Sequence, residues 1–294
     1  MSNQKPLEKL TIKDCFMFGA VMTEPENCRL LLERTLQIPI REVIVSKEKS
    51  IIYNPEYKGV RLDVYAHDEN NTRYDVEMQV LSEADIERRA RYYHSQIDMD
   101  ILLAGEKYKN LPNVYVIFVC DFDPFGEGKY KYTFLNTCEE VPNLKMDDGN
   151  VTIFLSTKGQ NHDEVPETLI KFLEYVGDDL EESKKDYSDP FVARLQQSVQ
   201  YVKKSREMEA RYMQLKLMLE DEREKGFIEG EKHGRALGKA LGKAESVLSF
   251  LSALGAVPKE LNETIISEKN LDTLEKWMKL ASKVESIEEF CEKM

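Results

Sequence analysis

The chain of 294 residues is expected to be an α/β protein. The expected form is a mixed sheet flanked by helices, followed by a mostly α-helical C-terminal region. Three observations predict this. Residues 59–80, GVRLDVYAHDENNTRYDVEMQV, alternate polar and apolar side chains around a polar centre, the pattern of a hairpin. Residues 113–121, NVYVIFVCD, are almost continuously apolar, which suits a strand covered on both faces. From about residue 188 the strand-like runs stop, and charged helical patterns take over.

The elements follow in order. Residues 7–38 form a helical region in which Thr11 starts a helix bearing Cys15, Phe16, Phe18 and Met22. A second helix follows Glu24-Pro25 and carries Cys28, Leu31, Leu32 and Leu36 before Pro39. Residues 41–53, rich in Val and Ile, predict a strand leading toward Asp63. The hairpin comes next, with Asp-Glu-Asn-Asn at its turn. Ser82 to Leu103 predicts a helix, opened by a Ser82–Asp85 capping pair. NVYVIFVCD, YKYTFL and NVTIFLS supply further strands, and residues 164–176 a helix with Pro166 early in it. The predicted organisation is a domain over 1–182, a long helix over 183–245 and a small helical segment over 246–294.

The hairpin carries the chemistry. Strand side chains alternate faces. Leu62, Val64 and Ala66 share one face of the first strand, and Asp63, Tyr65 and His67 the other. On the second strand Tyr74, Val76, Met78 and Val80 oppose Asp75, Glu77 and Gln79. The apolar set marks a core side, so Asp63, Glu77 and Gln79 are expected together, facing away from the core. Carboxylates on adjacent strands repel each other, and a divalent cation removes that repulsion. Hard cations such as Mg2+ use one or two carboxylates and keep several waters. That is the raw material of phosphodiester hydrolysis. The alternative is an ordinary wet face of an antiparallel sheet.

This hairpin resembles the core of the PD-(D/E)XK nuclease superfamily. Asp63 fits its first acidic position, Glu77 the second and Gln79 the third. The ordered set KDCFMFGAVM, RLDVYAHD, YDVEMQV, RRARYYHSQI and YVIFVCDFDPFGEGKYKYTF is similar to the Rpn-type recombination-promoting nucleases, also described as PD-(D/E)XK nuclease family putative transposases. The resemblance spans about residues 5–180. It implies a restriction-endonuclease-like fold and a DNA endonuclease linked to recombination or mobile elements. It also implies Mg2+ or Mn2+ held by Asp63, Glu77 and the carbonyl of Met78.

Within that resemblance, Asp14 either joins the metal site or caps a helix. Tyr93 and Gln96 either steady the site and touch DNA, or pack into the sheet. The superfamily's lysine is replaced by Gln79, which carries no charge but still orients a water through hydrogen bonds. A non-catalytic DNA-binding or assembly protein on the same fold is the competing expectation.

Charge counts against a DNA partner. The net charge is −13, and residues 1–180 carry 21 Lys+Arg against 32 Asp+Glu, a net of −11. Local basic groups remain, chiefly Arg88, Arg89 and Arg91 just after the hairpin. Five scattered cysteines and four histidines show no zinc-ligand spacing. The N-terminus lacks an apolar signal core, and no run has the length of a membrane span, so a cytoplasmic protein is expected. Finally, Gly226, Gly230, Gly234, Gly238 and Gly242 recur every four residues. On a helix they form one slowly drifting stripe. Such a stripe is either a face for close self-association, through a homo-oligomer, or a glycine-weakened linker.

Overall fold

A computed structural model describes residues 5–46, 50–51, 60–82 and 84–294. Helices α1 (Cys15–Met22) and α2 (Pro25–Leu36) lead into strand β1 (Val43–Ser46). The short β2 (Ser50–Ile51) and β3 (Val60–Arg61) pair with each other as a separate two-stranded ribbon. The rest of the strand expected over 41–53 lies outside the described residues. The hairpin is β4 (Val64–Asp68) and β5 (Arg73–Gln79), followed by α3 (Ile86–Ile101), β6 (Val114–Cys120), β7 (Lys131–Phe134) and β8 (Asn150–Ser156). The main sheet has the order β1-β4-β5-β6-β8-β7. β5, β6 and β8 run parallel and the outer strands antiparallel.

The hairpin turn is held by its own side chains. Asp68 Oδ1 accepts the N–H groups of Asn70 and Thr72, each at 2.9 Å. The Tyr74 hydroxyl donates to Asp68 Oδ2 at 2.8 Å. Asn71 takes the left-handed conformation, with φ 64°, which asparagine tolerates better than most residues. Together these set the register that pairs Val64 with Val76 and Tyr65 with Asp75.

Both faces of the sheet are covered. On one, Val64, Ala66, Val76 and Met78 meet residues of α1, α2, α4 (Glu167–Gly177) and α5 (Pro190–Lys204). On the other, Tyr65, Val116, Phe118 and Phe154 pack under Ile86, Ala90, Tyr93 and Ile97 of α3. This corrects two expectations. The polar side of the hairpin is a second buried layer rather than an open face, because α3 folds back over it. Leu62 does not continue the face of Val64 and Ala66, since it joins the α3 layer. The chain bends at Asp63, which lies just before β4, so the strict alternation fails there.

Several helix boundaries also differ. Helix α3 begins at Ile86 with Asp85 at its N-cap, and no side-chain cap bond forms, so the Ser82–Asp85 capping pair is absent. Asp189 caps α5 through the N–H groups of Phe191 and Val192 and pairs with Arg34 at 3.2 Å. Ser205 is extended, which breaks the long helix expected over 183–245 into α5 and α6 (Arg206–Ser252). The small helices of the C-terminal segment are α7 (Lys259–Ser267), α8 (Leu271–Ala281) and α9 (Ile287–Lys293).

The chain divides into two compact units, Met1–Met213 and Gln214–Met294. The second has its own core, in which Ala244, Val247 and Leu251 of α6 meet Ile265, Leu274 and Phe290. No helix among the described residues is long and apolar enough to cross a membrane.

Candidate active site

Extending the β4–β5 register by one residue sets Asp63 across from Glu77. The two then lock each other. Glu77 Oε1 accepts the backbone N–H of Asp63 at 2.9 Å, and Asp63 Oδ2 accepts the backbone N–H of Met78 at 3.1 Å. Each carboxylate is oriented by the other strand's main chain, which costs less conformational freedom than two side chains gripping each other. Among the described residues, the donors that reach Glu77 Oε2 do so at long distances, Tyr93 Oη at 3.4 Å and Arg89 Nη2 at 3.5 Å.

Burial shapes the electrostatics. Glu77 is 3 % exposed. Burial, then the Asp63 charge, pushes its carboxyl up to about 7, although the Asp63 N–H and Arg89 oppose this. Asp63 is raised by burial, against the pull of the Met78 N–H, Arg89 and Arg61. Asp75 is fully buried, and no N–H or hydroxyl among the described residues donates to its oxygens; its neighbour there is the Glu77 carboxyl. Burial, then the Glu77 and Asp63 charges, raises its carboxyl well above the usual range. Asp75 is not among the residues expected to carry the chemistry, although its place two residues before Glu77 sets it on the same strand face.

The other expected residues separate. Gln79 is buried on the same face as Glu77, and its Nε2 donates to the Leu81 carbonyl at 2.7 Å. Its Oε1 is left as an acceptor. Tyr93 both packs against Phe118, with ring centroids 6.1 Å apart, and reaches Glu77. Gln96 is buried on the sheet side of α3, and no hydrogen bond among the described residues joins it to Asp63, Glu77 or Gln79. Asp14 is the N-cap residue of α1 rather than a member of the helix. Its Oδ2 accepts the Thr11 N–H at 2.6 Å, so the carboxylate serves the local turn. The basic cluster divides by helical phase: Arg88 and Arg91 are exposed, while Arg89 is half-buried and turned toward Glu77.

Two lysines were missed altogether. Lys13 and Lys158 both bind Asp121, at 2.8 and 3.1 Å, and the Asp121 N–H donates to the Gln79 carbonyl. Burial works against the Asp121 charge, but bonds from Lys13, Lys158 and Thr157 hold its carboxyl below the usual range. Lys13 is 108 positions from Asp121, beyond any local pattern. On the near side, the Cys15 thiol lies 3.6 Å from the Met78 carbonyl. Burial, then the Asp63 and Glu77 charges, lifts that thiol to about 11.

The donor set suits a hard divalent cation. Among the described residues, no group of three or more His, Cys, Asp or Glu side chains is placed to hold a metal ion. Such a cation does not need three, because one or two carboxylates with water suffice. One weakly engaged oxygen is available from Glu77 and one from the Met78 carbonyl, and Asp63 Oδ1 faces no donor among the described residues. A groove of about 540 Å3, lined in part by Thr11, Tyr175, Lys184 and Lys203, includes none of these groups.

No curated protein and no solved structure matches the chain. A family model described as PD-(D/E)XK nuclease family transposase matches residues 14–225, a span that contains Asp63, Glu77, Gln79 and all of α3. With its mixed sheet, flanking helices and Asp63–Glu77 pair, the chain belongs to the PD-(D/E)XK nuclease family transposases.

Proposed function

We propose that the protein is a DNA endonuclease dependent on Mg2+ or Mn2+, acting in recombination or on mobile elements. The observation that carries this is the reciprocal hold between Asp63 and Glu77. It keeps the two carboxyl groups side by side across the hairpin, next to the main chain of Met78. A bound divalent cation would supply charge to polarise a phosphate oxygen and to acidify a water. Asp63, Glu77 and the Met78 carbonyl would hold it. Gln79 donates one amide N–H to the Leu81 carbonyl, which turns its Oε1 to orient a water by accepting a hydrogen bond from it. Tyr93 steadies Glu77 Oε2. Arg88 and Arg91, on the open face of α3, meet the phosphate backbone as positioning contacts. The test is plasmid cleavage with and without Mg2+. Cleavage that needs the metal and is lost in Asp63→Asn and Glu77→Gln supports the reading, and metal-independent cleavage or full activity in either variant refutes it.

The net charge of −11 over residues 1–180 favours a second reading, a non-catalytic assembly protein on this fold. The same plasmid assay separates the two. We also propose that α6 carries the self-association face. Its five stripe glycines lie on one continuous helix, and a Cβ at each would meet nothing within 4 Å. A second copy lying close along that stripe would offset the helix-weakening effect of glycine. All five cysteines are free thiols, which suits a reducing cytoplasm.

A further inference from the structure

Three carboxylates, those of Asp63, Asp75 and Glu77, meet in the layer between β5 and α3. No N–H or hydroxyl among the described residues donates to Asp75, which has no exposure to water and lies against Glu77. Acids crowded into a buried layer ionise only at a cost, and a nearby cation offsets that cost. Arg89 brings one from α3, with Nη2 3.5 Å from Glu77 Oε2. That is longer than the roughly 2.7–2.9 Å of a tight charge-assisted hydrogen bond. The guanidinium also lies over two rings, 5.1 Å from the centroid of Phe118 and 5.5 Å from that of Tyr93. It therefore neutralises the cluster without tightly engaging the oxygen a metal would use.

We propose that Arg89 is the counter-ion of the carboxylate cluster in the metal-free protein, and that it competes with the divalent cation for the same negative charge. The proposal rests on the nuclease reading of Asp63 and Glu77. A guanidinium does not lose its proton in proteins, so Arg89 keeps its charge when a cation arrives and the two repel. Its ring contacts give it a seat independent of the ion pair. Arg89 thus holds the carboxylates together before metal binding and lowers the affinity once metal is present. A merely structural arginine would do the reverse, because its loss would loosen α3 and weaken the metal site.

The experiment is Mn2+ titration calorimetry on the full chain, wild type against Arg89→Met and Arg89→Lys. Arg89→Met is expected to bind Mn2+ on the order of tenfold more tightly, the ratio that corresponds to about 1.4 kcal/mol. Arg89→Lys keeps the charge on a different geometry and is expected to tighten binding by a smaller factor; it serves if the methionine variant does not fold. Without metal, Arg89→Met is expected to melt below the wild type, by a margin that shrinks in a Glu77→Gln background. Unchanged or weaker Mn2+ binding in both variants, with a wild type that binds, overturns the competition alone. A wild type that binds no Mn2+ overturns the nuclease reading together with it.

Discussion

Glu77 accepts the backbone N–H of Asp63 at 2.9 Å, while the Asp63 carboxylate reaches back to the N–H after Glu77, that of Met78. The two acids are therefore not independent side chains. Each positions the strand that carries the other. Substitutions that delete a carboxylate affect chain geometry as well as charge, whereas amide isosteres keep an acceptor oxygen for the same N–H.

Glu77→Gln is accordingly expected to abolish cleavage and Mn2+ binding while preserving the fold. At pH 8 its metal-free melting temperature should equal or exceed that of the wild type, because the neutral amide removes an ion from a buried cluster. Glu77→Ala should be less stable than Glu77→Gln by about 1–3 kcal/mol, since the Asp63 N–H loses its acceptor. Chemical denaturation of the two variants measures this, and a fall below wild type for Glu77→Gln at pH 8 contradicts it.

The pH dependence has a definite sign. Glu77 titrates at about 7 in the folded chain against an ordinary 4.5. Between those values the folded state holds a proton that the unfolded state has released. Its contribution to stability is full below 4.5 and lost as pH rises through about 7. Metal binding needs the ionised acid, so Mn2+ affinity is expected to rise over the same interval. Thermal melts from pH 5 to 8, with and without Mn2+, should diverge as pH increases. Parallel curves would show that Glu77 does not couple to the metal.

Gln79→Lys tests the departure from the superfamily's lysine. The Gln79 amide donates to the Leu81 carbonyl, and a lysine ammonium is able to keep that bond. It would lose the acceptor that orients a water and add a cation beside Glu77. If water orientation by Oε1 matters, cleavage should fall, on the order of tenfold or more. Activity at or above the wild-type level would mean that charge at this position is sufficient.

The glycine stripe separates two outcomes by simple replacement. In an isolated chain Gly234→Ala should raise helix stability by up to about 1 kcal/mol, because a Cβ there meets nothing. Replacing Gly230, Gly234 and Gly238 with Leu should keep the helix but block close approach of a second copy. Sedimentation is expected to show a dimer for the wild type and a monomer for the leucine variant, with the first unit still folded. A wild type monomeric at high micromolar concentration rejects self-association.

Local patterns in the sequence determined the hairpin and the phase of its side chains. The turn at Asp68–Arg73, the strands on either side and the long apolar β6 were all legible, because hairpin periodicity and turn chemistry act over a few residues. Their phase alone put Glu77 and Gln79 on one face and Val76 and Met78 on the other. The glycine repeat on a helical stretch was legible for the same reason. What tertiary structure decided is which faces meet water. A polar strand face looks identical in sequence whether solvent or a helix covers it, and here α3 covers it. That packing buried Asp75 beside Glu77 and turned Arg89 inward while leaving Arg88 and Arg91 outside. It also joined Lys13 to Asp121 across 108 positions. Such contacts arise from how elements stack, and stacking is fixed by the sum of many distant apolar contacts rather than by any short run of residues.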